Sequence, residues 1–169
     1  MPNNNNDATH LGYFVKGKIV ELLFEMMIRE DPKHIFTIIP FGYEKTTPEL
    51  AQYQELIKNY ETLKVIRQSP DFILIKNDKT EVHFVEVKYR REYNSFVERD
   101  MKESAEQLLK YWQGTWLFVA TQNGFYFDKC EEIIANKGLM RRLDETTITP
   151  DIQSKYLEVL KEYIRVKKQ

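Results

Sequence analysis

The sequence predicts a single α/β domain, on three observations. Apolar residues recur at helical spacing early in the chain and again around residue 100. Between them lie short runs dense in Ile, Val and Phe that read as strands. Two of these runs, 71–76 and 81–89, are separated only by a polar turn at Asn77-Asp78, so they pair as a hairpin.

The Asn-rich start, Pro2 to Asp7, has no apolar residue, which predicts a mobile tail over 1–10 and one domain over 11–169. Val20, Leu23, Phe24 and Met27 form one helical stripe from Tyr13 to Glu30, and Pro32 follows where that helix must already have stopped. His34 to Phe41 is a strand closed by Pro40 and Gly42. Pro48 opens a helix through about Glu61, within an insertion from Tyr43 to Gln68 between the first two strands. Asp71 to Lys76 and Glu81 to Tyr89 form the hairpin, and the second of them, apolar on both faces, is expected to be central. Val97, Met101, Ala105, Leu108 and Trp112 give Glu98 to Trp112 an amphipathic face that suits a helix covering the sheet. Trp116 to Thr121 and Phe125 to Asp128 are strands about the turn Gln122-Asn123-Gly124, and helices over Cys130 to Arg142 and Pro150 to Val166 end the chain.

Composition narrows the class. At 169 residues, 42% hydrophobic and 30% charged, the chain is long enough for one real core and is not a disordered polymer. No apolar run approaches the roughly 18 residues of a membrane span, and the first residues lack the pattern of a secretory signal. A cytoplasmic protein with no membrane partner is expected. Cys130 stands alone, which excludes an internal disulfide and a cysteine zinc cluster. His10, His34 and His83 offer no pair at zinc spacing, and His83 reads as a core or interface histidine. The net charge of -1 gives no global basic field, so attraction to phosphate must come from local patches such as Lys88, Arg90 and Arg91.

The chemistry concentrates in Ser69-Pro70-Asp71 and in Val85-Glu86-Val87-Lys88. Side chains alternate along a strand, so Glu86 and Lys88 project from the same face. Hairpin pairing brings Asp71, where the first strand starts, beside Glu86, near the end of the second. Two converging carboxylates can hold Mg²⁺, with Mn²⁺ as its substitute, because such ions favour oxygen donors and keep waters for a substrate. Lys88 beside them orients a water or offsets charge in a transition state. The competing reading, a Glu86–Lys88 pair kept for stability alone, is disfavoured by the cost of enclosing three charges in a sheet.

Pro70-Asp71 followed by Glu86-Val87-Lys88 resembles the signature of the PD-(D/E)XK nuclease superfamily. The resemblance implies a restriction-endonuclease-like core of helix, three strands, helix and strand. Here that core carries an insertion between strands 1 and 2 and extra helices at the C-terminus. It further implies a Mg²⁺-dependent endonuclease that hydrolyses phosphodiester bonds in nucleic acid, DNA ahead of RNA. Gly17 to Glu21 is similar to the Gly-x-x-x-Glu pattern of archaeal Holliday-junction resolvases. That makes Glu21 a third metal-ligating carboxylate, with Gly17 allowing a close backbone approach and Glu25 as a rival for the same role. A glutamine on the helix after the Glu-x-Lys strand recurs in several branches, which singles out Gln107 as an accessory residue. Tyr89, Arg90, Arg91 and Tyr93, directly after the catalytic strand, are candidates to grip phosphate and stack on bases. The insertion is a candidate substrate flap or contact between two copies. The alternative is a nuclease fold that has lost catalysis and holds nucleic acid or a protein partner.

Overall fold

A computed structural model describes residues 4–51, 53 and 60–166. In chain order the elements are α1 (Asn4–Glu30), β1 (Phe36–Pro40), α2 (Tyr43–Thr46), α3 (Pro48–Ala51), α4 (Glu61–Arg67), β2 (Phe72–Lys76) and β3 (Val82–Tyr89). They continue with α5 (Ser95–Leu109), β4 (Thr115–Thr121), β5 (Gly124–Lys129), α6 (Cys130–Ala135) and α7 (Pro150–Val166).

Among the described residues the strands form one mixed sheet in the order β1-β2-β3-β4-β5. β1, β2 and β3 run as an antiparallel meander; β4 lies parallel to β3 and β5 antiparallel to β4. The parallel step needs a crossover, and α5 supplies it. β3 is therefore central, as its two apolar faces require.

Alternation along the strands divides the core into two layers. On one face Phe72, Leu74, Val85, Val87 and Phe118 pack against Val20, Phe24 and Met27 of α1 and Tyr156, Leu160 and Ile164 of α7. On the other, Leu117 and Val119 meet Met101, Ala105 and Leu108 of α5 and Ile133 of α6. Phe24 sits at the heart of the first layer, its ring 4.5 Å from that of Phe118. Burying such a side chain contributes roughly 1.5–3 kcal/mol.

Several boundaries differ from the sequence reading. α1 starts at Asn4, nine residues before Tyr13. No proline or glycine lies between Asn4 and Leu11 to stop the helix from continuing, and the absence of an apolar stripe there says nothing against helix. Of the helix expected from Pro48 to about Glu61, Pro48–Ala51 is helical as α3, while 52 and 54–59 lie outside the described residues; α2 before it and α4 from Glu61 to Arg67 are helices that the sequence reading did not include. α5 starts three residues before Glu98, because Asn94 caps it by accepting hydrogen bonds from the Phe96 and Val97 amides at 3.1 and 3.2 Å. α6 ends at Ala135 and not at Arg142: Lys137 and Gly138 turn left-handed, and the Gly138 amide bonds back to the Ile133 carbonyl at 2.7 Å. Only glycine fits at 138, since a Cβ there would lie 2.0 Å from the Glu98 carbonyl oxygen. The chain then returns along β5, with Phe127 N–H bonding Arg141 O and Leu143 N–H bonding Phe125 O, and so covers that edge. Among the described residues no helix is long and apolar enough to cross a membrane.

Candidate active site

Asp71 is held from both sides. Its carbonyl accepts from the Phe41 and Gly42 amides at 2.9 and 3.2 Å, fixing it where β1 ends. Its carboxylate Oδ2 accepts from the Val87 amide at 2.8 Å. The hairpin register, Phe72 opposite Val85, sets Asp71 opposite Glu86. Glu86 and Lys88 share the sheet face that carries Leu117 and Val119, and Lys88 Nζ lies 3.2 Å from Glu86 Oε1. The three residues that strand alternation joins on paper meet at one end of the sheet, where β2 starts and β3 finishes.

These side chains line a cleft of about 300 Å³. α1 contributes Lys18 and Glu21; α5 contributes Ser104, Gln107 and Leu108. Glu21 therefore faces the site, and the rival Glu25 does not: it pairs along the helix with Arg29 at 2.8 Å, and no part of it lines the cleft. Gln107 is likewise in the lining. Gly17 plays no close-packing role, because a Cβ added there meets no described atom within 4 Å.

The insertion supplies the residues that strand and helix patterns do not reveal. Gly42, Tyr43, Glu44 and Lys45 line the cleft from one end of it, and Arg67, Gln68 and Ser69 from the other. Lys18 Nζ bridges α1 and α2, lying 3.0 Å from Glu21 and 2.7 Å from Glu44. Lys45 Nζ reaches Glu21 at 3.7 Å and sits 4.2 Å above the Phe72 ring. A lysine at 18 was visible inside the Gly-x-x-x-Glu segment; nothing in the local sequence marked Lys45 or Arg67. The Ser69 hydroxyl is buried near Asp71 with no hydrogen-bond partner among the described residues.

The electrostatics are uneven. Burial pushes the Asp71 carboxyl well above the ordinary carboxylate range, and the charges of Glu86 and Glu21 push it further; the Val87 amide and Lys18 offset part of this. Burial alone would lower Lys18, but its hydrogen bonds to Glu44 and Glu21 hold it at about 12. The lining counts four carboxylates against Lys18, Lys45, Arg67 and Lys88, so the cleft carries no net excess of negative charge. Among the described residues no three His, Cys, Asp or Glu side chains stand together as a ready-made metal shell. A divalent ion would have to compete with lysines already on Glu21 and Glu86. The donors themselves, all carboxylate oxygens, are of the kind that Mg²⁺ and Mn²⁺ take, and Asp71 is repelled by the neighbours such an ion would neutralise.

The cluster after β3 is not gathered here. Tyr89 is buried on the opposite face of β3 from Lys88, within the core under α1, so it is corrected from a base-stacking candidate to a packing residue. Arg90 is tied to Asp100 and to the Tyr89 carbonyl. Arg91 is exposed beside Glu92. Tyr93 stacks on Tyr126 at 4.1 Å and donates to the Gly138 carbonyl at 2.7 Å. His83, at the other end of β3, lies edge-on to Phe36 and Trp116 and 3.1 Å from Glu81, packed as the sequence implied.

No family model and no curated protein sequence matches the chain.

Proposed function

We propose that this chain is a metal-dependent nuclease of PD-(D/E)XK type, acting on phosphodiester bonds in nucleic acid, with DNA preferred. The observation that carries the reading is the meeting of Asp71, Glu86, Lys88 and Glu21 in one cleft, with Asp71 raised by burial and by its acidic neighbours. The run α1, three antiparallel strands, α5 and a parallel β4 is the order this kind of nuclease core implies, and it supports the reading.

In this reading Asp71, Glu86 and Glu21 hold Mg²⁺, or Mn²⁺ in its place. When bound, the ion neutralises charge on the scissile phosphate and lowers the pKa of a water that becomes the nucleophile. Asp71 is pre-set for its part: the Val87 amide fixes one carboxylate oxygen, and the Phe41 and Gly42 amides just past β1 fix its carbonyl. Lys88 aims its ammonium at the phosphate oxygens, where negative charge builds up in the transition state. Gln107 lends an amide to hold a water or phosphate oxygen, and Leu108 keeps that side of the cleft dry.

A non-catalytic, nucleic-acid-holding module is the second reading, favoured by the lysines already paired with Glu21 and Glu86. The test is a panel of labelled single strands, duplexes, flaps and junctions incubated with the protein and Mg²⁺ or Mn²⁺. Cleavage that needs the ion and vanishes in Asp71→Asn supports the nuclease. Binding without cleavage on every substrate sinks it in favour of the module.

A further inference from the structure

We infer that Arg67 is a substrate-binding residue and that the cleft takes a single nucleic-acid strand, not an intact duplex; this rests on the nuclease reading and deepens it. The starting point is a difference among the cations of the cleft. Lys18 is held by Glu21 and Glu44, Lys45 by Glu21 and Lys88 by Glu86. Arg67 is exposed, lines the same cleft and has no acidic partner among the described residues. A guanidinium left without a carboxylate beside a set of acids is the group best placed to meet an incoming phosphate, which it can grip with two parallel N–H bonds.

Its position is set by the chain. Arg67 closes α4, and only Gln68, Ser69 and Pro70 separate it from Asp71. Those few residues fix the spacing between a phosphate bound at Arg67 and a phosphate next to Asp71. Ser69, between them, brings a buried hydroxyl that has no partner among the described residues. A buried hydroxyl without a bond is costly to the fold, and it marks a place where a polar ligand atom fits.

The size of the cleft selects the kind of substrate. At about 300 Å³ it is the volume of a small-ligand pocket, matched to one nucleotide unit. The acids lie below its rim: the Glu21 side chain keeps 13% of its surface and Glu86 22%. A phosphate must enter the cleft to reach them, and a single strand does so without a complementary strand to fit beside the lining from α5 and from residues 42–45 and 67–69. Tyr43, in the lining, offers an aromatic face for an unpaired base, and an exposed cation plus a stacking ring is the pairing that non-sequence-specific single-strand binders use.

The test uses the full chain carrying Lys88→Ala, in Mn²⁺, so that substrate is bound and not consumed. One unstructured, fluorescein-labelled DNA strand of about 20 nucleotides, longer than a single-strand site, is titrated alone and annealed to its complement. The expected result is about tenfold tighter binding of the single strand, lost about tenfold on adding Arg67→Ala. Each lost phosphate contact also flattens the salt dependence, by about 0.7 in log K per log salt for single strands. Arg67→Lys recovers part of the affinity; Lys64→Ala, one turn earlier on α4 and paired with Glu61, changes nothing. Equal or tighter binding of the duplex, no binding of either, or an Arg67→Ala affinity equal to the parent, overturns the inference. Failure of the Lys88-intact protein to cut either substrate overturns the nuclease reading alone, since the binding arms are read without cleavage.

Discussion

The two ends of the β2–β3 hairpin carry the same kinds of residue and put them to opposite use. At the turn, Lys76 pairs with Asp78 and Glu81 in open solvent. At the other end, Asp71, Glu86 and Lys88 sit in a cleft. Asp78, seven residues after Asp71, is drawn below the ordinary carboxylate range because the Thr80 hydroxyl and amide hydrogen-bond its ionised form. Asp71 is driven the other way by burial and by two acidic neighbours. The contrast shows that ionisation is decided by surroundings and not by residue type. Charges at the turn satisfy each other locally. In the cleft Glu86 and Glu21 are paired with lysines, yet Asp71 keeps part of their repulsion, which an incoming cation or proton would relieve.

The largest effect expected from breaking this contrast lies at Lys88. Lys88→Ala should lower kcat by about 10²–10³-fold while Mn²⁺ and strand affinity hold, because a charged amine is not a metal ligand and acts where charge develops. Asp71→Ala should remove cleavage and metal affinity together. Cleavage assays beside Mn²⁺ calorimetry on both variants separate the two; native-rate cleavage by Lys88→Ala reduces Lys88 to a partner of Glu86.

Next in size is the cost of the strained carboxyl. Asp71→Asn keeps the shape and removes the charge that Glu86 and Glu21 oppose, so its melting temperature at pH 7 should rise, by roughly 2–4 °C, as activity is lost. A fall in melting temperature would mean that the Val87 hydrogen bond outweighs the repulsion.

The pH dependence sharpens the comparison further. A carboxyl whose folded pKa exceeds its unfolded value near 3.8 holds its proton more firmly in the fold. Asp71 therefore favours the folded state at low pH, and this contribution is lost as pH rises from about 3.8 through the raised value. Mn²⁺ competes for the same oxygens, so its affinity should climb over that window in calorimetry at stepped pH. Asp78 has the reverse sign: its contribution exists above its unfolded value near 3.8 and fades as pH falls through the lowered one. The smallest effect follows from this exposed position. Asp78→Asn should leave cleavage and Mn²⁺ binding at native levels, and a loss of either would join the turn to the site.

The parts of this arrangement that were legible in sequence are those set by short-range periodicity. A period of two put Glu86 and Lys88 on one face, a turn at Asn77-Asp78 carried Asp71 back beside them, and a period near 3.6 set Gln107 off the buried stripe of α5. Glu21 needed a motif resemblance to be preferred over Glu25, since the two lie a turn apart and only packing against the sheet end separates them. Lys45, Arg67 and Ser69 were not legible. They lie in or beside short elements without an apolar repeat, and their place in the cleft is decided by how the insertion folds back. Tyr89 packs in the core for a simple reason: the residue directly after Lys88 in a strand takes the opposite face.

The Phe41 and Gly42 amides both bond the Asp71 carbonyl, so the chain leaves β1 and rejoins β2 at the same point. Everything from Gly42 to Pro70 is thus a loop whose two ends are already clamped together by the sheet. The entropy of closing such a loop grows only with the logarithm of its length, about 0.6 kcal/mol for each doubling. Lengthening, trimming or exchanging this stretch would therefore cost the fold little, provided the clamp at Asp71 is kept. It would still rebuild the lining from Tyr43 to Ser69. The hairpin that carries Asp71, Glu86 and Lys88 and the stretch that lines the cleft beside it are joined in the backbone at one residue, so the lining can vary in length while the hairpin stays fixed.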